Sequence, residues 1–330
     1  MYRVEIAPKT ILSIAITLIG FYLVWVTRDL IFSLFLAFII ASGLRRPVQF
    51  LQQRGFSHNA AVISVFFFFV LCIIGMIVLI VPPIVSETVV FVNNLPSIVA
   101  GLNTRLKTNV IQFNTLSQYV PEITSRSFQL VSNIFANIFF VVSTLFFSFY
   151  LLLDDMFVIR VALKAIPTLH EDGVTGFVRR AEKRVGGWLG SEIVLMVVVG
   201  ALVFVGLQML GMTYALPLAV LAGLLEVVPN IGPILSLIPA VIIGFSVSTP
   251  LGLAVLVLYI IVQLLENHFI VPFVMRQTVG LSPIVTLIAL IIGDRLGGVV
   301  GMVLAVPTVL FLTVVITEWT ARKRHEVNMR

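Results

Sequence analysis

Charge is scarce in this sequence: Asp, Glu, Lys and Arg make up 11% of its 330 residues, against about 25% in an average soluble domain. A water-facing surface cannot be built from so few charges. Cys72 is the only cysteine, so an intramolecular disulfide and a thiolate cluster around zinc or iron–sulfur are both excluded. His268 has no second histidine at metal-ligand spacing, and no His-Glu-x-x-His, Gly-x-Ser-x-Gly, paired catalytic aspartate or Walker pattern occurs. The expectation is a protein without cofactor, metal or enzymatic activity, and without ATP hydrolysis by this chain.

What the sequence has in abundance is apolar length. Hydrophobic residues are 59% of the chain, and runs near the roughly 20 residues that span about 30 Å of hydrocarbon recur throughout. Eight segments stand out: residues 10–27, 30–44, 60–82, 128–153, 190–210, 214–244, 251–275 and 283–317. The fold class expected is an all-α polytopic membrane protein. Arg3 and Lys9 precede the first run as they would in a signal peptide, but it lacks a cleavage site, and Ile31 to Leu44 follows after four residues. A helical hairpin kept in the mature protein is the reading.

The net charge of +6 does not point to nucleic acid, because the basic residues lie between the apolar spans and form no single patch. They serve to orient the chain. With the N-terminus in the cytoplasm, Lys and Arg number two in residues 1–9, three in 45–59, six in 154–189 and four in 318–330, fifteen of twenty-one. The positive-inside rule then puts both termini in the cytoplasm of a bacterial inner-membrane protein.

The resulting organisation is membrane helices over 1–82, an extracytoplasmic stretch over 83–127, a membrane helix over 128–153, a cytoplasmic basic loop over 154–189, a transport unit over 190–317 and a cytoplasmic tail over 318–330. In the outer stretch, Val89, Val92, Leu95, Ile98, Val99 and Leu102 recur at near-helical spacing. An amphipathic helix there lies on the outer leaflet or braces a neighbouring subunit. Arg179-Arg180-Ala181-Glu182-Lys183-Arg184 in the basic loop reads as an anchor to anionic lipid.

The last 140 residues carry features that a plain membrane anchor does not need. Glu226-Val227-Val228-Pro229-Asn230-Ile231-Gly232-Pro233 interrupts one apolar segment, and two prolines without donors plus a permissive glycine predict half-helices, Tyr214 to Val227 and Ile234 to Gly244. Gly293-Asp294-Arg295-Leu296-Gly297-Gly298 interrupts another. Unpaired backbone is not tolerated in lipid, so each break should line a protein-enclosed or watery cavity. The two regions repeat in layout: Gln208, Gly211, Pro217, Glu226 and Pro239 correspond to Gln277, Gly280, Pro283, Asp294 and Pro307. If both broken segments re-enter, the units have opposite topology and form an inverted repeat; if both cross, the units are parallel. The sequence leaves that choice open.

Ionisable residues at membrane depth need partners or water. Glu226 and Asp294, at matching breaks, are read as pathway residues, together with Pro229, Asn230, Gly232 and Pro233. Gln263, Glu266 and Asn267 form a polar stripe that could face the same pathway. Glu192 is read as an interfacial residue at a segment end, with Glu266 open to the same explanation. His268 is assigned a structural hydrogen bond. Gly186 with Gly190, and Gly297 with Gly301, are read as close-packing pairs.

On Pro229-Asn230-Ile231-Gly232-Pro233, Ile238-Pro239, Glu266-Asn267 with Pro272, and Gly297 to Pro307, the chain resembles the autoinducer-2 exporter family of permeases. The resemblance implies about eight membrane segments, a homo-oligomer that could be a pentamer, and export of a furanone-derived quorum-sensing signal, or in other members exchange of sodium or another monovalent cation for protons. The family positions carried over are Glu226, Pro229, Gly232, Pro233, Pro239, Glu266, Asn267 and Pro272. The leading expectation is export of a small polar solute such as autoinducer-2; cation/proton antiport through Glu226, Glu266 and Asp294 is the alternative, and a membrane scaffold the reading from outside transport. Gly297, Gly298, Pro239 and Pro307 are the expected hinges of two gates that move against a scaffold formed by residues 10–153.

Overall fold

The computed structural model describes residues 8–75, 77–78, 138–165, 171–229, 231–275 and 281–328. Residues 83–127, expected as an extracytoplasmic stretch, and Gln277, Gly280 and Asn230 lie outside the described residues. Those described form helices with no strand among them. In chain order they are α1 (Pro8–Val26), α2 (Arg28–Gln53), α3 (His58–Gly75), α4 (Ile138–Leu153), α5 (Phe157–Ala165), α6 (Glu171–Met209), α7 (Ala215–Leu225), α8 (Ile231–Val247), α9 (Thr249–Leu265), α10 (Val271–Val274) and α11 (Pro283–Asn328).

Five helical stretches are long and apolar enough to cross a membrane by length and composition: Arg28–Gln53, His58–Gly75, Glu171–Met209, Thr249–Val274 and Ile284–Glu318, the last counted across a break at Gly297 and Gly298. A sixth arises if Ile138–Leu153 and Phe157–Lys164, bent by 92°, are taken together. Many large apolar side chains stay exposed on these helices, such as Phe67, Phe139, Val197 and Phe273. In water such a surface would aggregate; in a bilayer it is the solvated face. The chain is an integral, multi-pass membrane protein.

Residues 154–189, expected as a loop, are largely helical. The polar residues from Glu171 onward belong to the same helix as the apolar run that follows, so α6 is 39 residues long, about 58 Å at 1.5 Å per residue. It extends well beyond the hydrocarbon at its basic end. Its close fit to α2 depends on Gly186, where a Cβ would run into the Ser42 carbonyl carbon at 2.7 Å. Substitution Gly186→Leu should therefore separate α2 from α6 and lower stability by about 1–3 kcal/mol, the usual range for overpacking, read as a fall in unfolding temperature in detergent. Gly297 is likewise packed, against Phe32. Gly190, the other half of the first glycine pair, has nothing within 4 Å of a Cβ, so close packing does not explain it.

The break at Glu226–Pro233 exists, with somewhat different bounds from those expected. Helix α7 ends at Leu225 and α8 begins at Ile231, so Pro233 falls in the first turn of α8, where a missing N–H leaves no intrahelical acceptor unpaired. The turn is closed by Val228 N–H to the Leu225 carbonyl at 3.0 Å and Gly232 N–H to the Val228 carbonyl at 2.9 Å. Gly232 sits so close to Leu225 that a Cβ would be 2.5 Å from that residue's carbonyl carbon. The chain thus folds back on itself. Pro239 lies inside α8 and does not end it.

The second break is narrower than the sequence suggested. Gly293 to Leu296 remain helical, and only Gly297 (φ −142°, ψ 15°) and Gly298 (φ 56°, ψ −137°) leave the helical region within α11. The positive φ at Gly298 is the conformation that glycine adopts without a Cβ penalty. Residues 293 and 301 would be about 12 Å apart along a straight helix. Here a Cβ on Gly301 would stand 3.3 Å from the Gly293 Cα. So α11 is a hairpin of two arms, Pro283 to Leu296 and Val299 to Asn328, and Pro307 lies within the second arm without ending it. The first arm, 14 residues or about 21 Å, is too short to cross.

Packing fixes the relative directions. Helix α7 runs antiparallel to α6, with Gly200 beside Ala219 and Gly223 and with the Met196 carbonyl at Gly223. Helix α9 runs antiparallel to α8, with Gly244 against Gly252. The second arm of α11 also runs antiparallel to α6: Arg180 pairs with Glu318 and Arg184 with Thr313, while Trp188 and Val185 share a core with Leu310 and Leu304. The α7–α8 hairpin therefore opens toward the Gly211 and Ser248 end of the bundle, and the α11 hairpin toward the opposite end, where α6 begins. Each unit is one crossing helix followed by a hairpin, and the two have opposite sense. Of the two topologies left open by the sequence, this is the inverted repeat. Cysteines at Ser248 and Ser282, each placed alone in a Cys72→Ser background, should be labelled by an impermeant maleimide from opposite faces of the membrane; labelling from the same face would refute the arrangement.

Candidate functional site

Two antiparallel registers bring three glutamates to one level. Along α6 and α7, Gly200 faces Ala219 and Met196 faces Gly223; one turn further, Glu192 on α6 comes level with Glu226 at the end of α7. Along α8 and α9, Gly244 faces Gly252, and the buried Tyr259 hydroxyl reaches toward the buried Ser236 hydroxyl. Extending that pairing brings Glu266 to the turn that contains Glu226. The carboxyls of Glu226 and Glu266 lie within hydrogen-bonding reach of each other, and Glu192 is close enough to act electrostatically on both. Relative exposures are 1% for Glu192, 3% for Glu226 and 5% for Glu266.

Local structure holds this cluster. Gln263, one turn before Glu266, has its side chain beside the Glu266 carboxyl, and the Trp188 indole, one turn before Glu192, lies beside that carboxyl. Glu266 opens a five-residue π-helical turn, Glu266–Ile270, whose wide ring is closed by Val271 N–H to the Glu266 carbonyl. Pro272 follows at once and cannot supply a normal backbone donor, which accounts for the local widening. One carboxyl oxygen of each glutamate (Oε2 in Glu192, Glu226 and Glu266) is buried with no hydrogen-bond partner. Among the described residues, the charged groups that act on the three glutamates are one another.

The sequence-derived candidates divide accordingly. Glu226, Gln263 and Glu266 come together, with Pro229, Gly232 and Pro233 building the turn that carries Glu226. Asn267 is on the same helical stretch but exposed, and Asp294 with Arg295 is exposed near the tip of the α11 hairpin. The tips of the two hairpins do not meet end to end: Val227, Val228 and Ile231 pack on Ala289, Leu290, Met302 and Ala305, the flanks of the α11 hairpin. His268 Nδ1 donates to the Leu264 carbonyl at 3.0 Å, the structural role assigned to it. Glu192 is a correction: it is a central, buried member of the cluster and no interfacial residue. It seemed terminal because the apolar run starts at Gly190, whereas the helix starts at Glu171.

Among the described residues, no group of three or more His, Cys, Asp or Glu side chains is placed to hold a metal ion together. The cluster is a pair of carboxyls with a third nearby. The match that decides the family covers nearly the whole chain: residues 11–321 match the AI-2E family transporter description. The chain belongs to the AI-2E transporter family. Relatives include "Putative transport protein YrrI" of Bacillus subtilis (strain 168), 27% identical over 169 residues, 51% of this chain and 48% of that protein. "Putative transport protein YueF" from the same organism is 28% identical over 191 residues, 58% of this chain and 52% of that protein. These two matches span about half the length of each relative. "Putative transport protein YhhT" of Escherichia coli (strain K12) is 27% identical over 307 residues, 89% of this chain and 85% of that protein.

Proposed function

We propose that this AI-2E transporter exchanges a monovalent cation for protons across the bacterial cytoplasmic membrane, with both termini in the cytoplasm, and that Glu226 and Glu266 carry the exchange. The observation behind this reading is two buried carboxyls within hydrogen-bonding reach, at a hairpin turn, with a third carboxyl nearby and no basic group among the described residues acting on them. Ionised carboxylates only accept hydrogen bonds, so a bridge between the two requires a proton on one. When that proton leaves, two buried negative charges face each other at a cost of at least several kcal/mol. A monovalent cation entering between them compensates the charge, with Gln263 contributing its amide oxygen. Proton and cation thus compete for one site, which is the requirement for coupled exchange.

The order of the two transport expectations is thereby reversed, for a physical reason: a neutral polar solute needs hydrogen-bond partners, whereas an excess of buried carboxyls needs positive charge. Export of autoinducer-2 is the second reading, favoured by the description of the family. Purified protein in liposomes holding a pH-sensitive dye decides between them. A sodium pulse should drive proton movement in the opposite direction in protein-containing vesicles only. No sodium- or potassium-dependent proton flux, together with accumulation of labelled autoinducer-2, would assign the second reading.

A further inference from the structure

A cavity of about 540 Å³ opens at the basic end of α6, between α2, α6, α10 and the second arm of α11. Its volume is within the range of small-ligand pockets, about 300–1,000 Å³. Arg46, Arg180, Lys183 and Arg184 line it, with the hydroxyl-bearing Ser191 and Thr317. Glu318 is the single acid in the lining and is engaged by Arg180 at 2.5 Å. Arg184 donates to Thr313 Oγ1 at 3.1 Å, which leaves its charge uncompensated.

Arg46 and Lys183 differ from the basic residues beside them. Arg45, one position before Arg46, is committed to Asp155 and to Glu182 (2.9 Å), and Arg179 pairs with the same two acids. Among the described residues Arg46 and Lys183 make no ion pair, yet both line this cavity and also the adjoining one of about 270 Å³ on the α2–α6 seam. Two separate helices thus deliver free cations to the residues shared by two adjoining hollows. A generic positive-inside residue needs only to stay on its side of the membrane. Convergence of these two cations, with Arg184 beside them, on one cavity is the chemistry of anion capture.

We propose that this cavity binds a phosphate group, held by Arg46 and Lys183 and flanked by Arg184, Ser191 and Thr317. The site is separate from the glutamate cluster and does not depend on the cation-exchange reading. A phosphate can reach it on a lipid headgroup, since the cavity lies where α6 leaves the hydrocarbon, or on a soluble phosphorylated compound. Its position matters because Ser191 also donates to the Val274 carbonyl at 3.2 Å and directly precedes Glu192. An anion there ties together the second hairpin, α10 and α6.

The test is binding, which stays informative whatever the protein transports. The full chain is purified in a zwitterionic detergent and titrated with pyrophosphate by calorimetry. It is separately placed in phosphatidylcholine nanodiscs with and without phosphatidylglycerol, and retained lipid is counted by native mass spectrometry. Binding of pyrophosphate identifies a soluble phosphate ligand; retention of phosphatidylglycerol alone identifies a headgroup. The double substitution Arg46→Ala with Lys183→Ala should weaken the observed binding at least about 10-fold, while Lys183→Arg, which keeps the charge, should preserve it. Binding of neither probe by the wild-type protein overturns the proposal, as does wild-type affinity in the double variant. Should that double variant fail to fold, Arg46→Gln and Lys183→Gln tested singly each carry the same expectation of weakened binding.

Discussion

Replacing Glu226 by Gln should reduce cation-dependent proton flux to the level of protein-free liposomes while leaving the fold intact. Glutamine matches glutamate in volume, and its amide N–H can donate to the Glu266 carboxylate, so the contact at the α7–α8 turn survives. What is lost is the ability to give up a proton and accept a cation in its place. Thermal stability should be unchanged or higher, because a neutral glutamine needs no proton to sit beside Glu266 and leaves one ionisable group fewer in the buried site. Glu266→Gln should behave in the same way. Glu192→Gln should reduce the flux without abolishing it, since Glu192 acts on the pair from a distance. Flux in Glu226→Gln and Glu266→Gln equal to that of the wild type would remove these residues from the transport cycle. Loss of folding in all three would instead assign them a structural role.

The contrast between Glu226 and Asp294 shows how far the sequence could be read. Both are acids at the end of an apolar run and just before a break, and one-dimensional spacing gives them equivalent places. In three dimensions Glu226 closes a helix whose partner α6 carries another glutamate at the same level. Asp294 lies on the first arm of α11, which stays helical to Leu296, and there it is exposed. The difference comes from register between helices, which no single segment encodes. The same limit hid Glu192: its place in the cluster depends on antiparallel packing against α7, set by Gly200 and Gly223. The breaks themselves were legible, because proline and paired glycine act locally on the backbone. The length of α6 was not, since hydropathy reports where lipid ends and says little about where a helix does.

The largest structural effect is expected at the α11 hairpin, from Gly301→Leu. Gly301 lies in the second arm, and its backbone touches that of Gly293 in the first, close enough that a Cβ would be 2.7 Å from the Gly293 carbonyl carbon. Real Cβ atoms do not approach backbone this closely, and the obstacle is main chain on both sides, so no side-chain rotation relieves it. The arms must separate. Separation breaks the small-residue contact that holds a membrane hairpin closed. It also displaces Leu290 and Ala305 from Val228, thereby moving the turn that carries Glu226. Overpacking of this kind costs about 1–3 kcal/mol where side chains can yield, and that range is a lower bound here. The expected result is a marked fall in unfolding temperature together with loss of transport. Gly298→Ala gives a milder comparison: nothing lies within 4 Å of a Cβ there, and only the backbone conformation, φ 56° with ψ −137°, is penalised, at about 1–3 kcal/mol. Its flux should be closer to that of the wild type than the flux of Gly301→Leu. If Gly301→Leu retains full stability and flux while Gly298→Ala does not, the arms are not in contact in the membrane and the second hairpin is open.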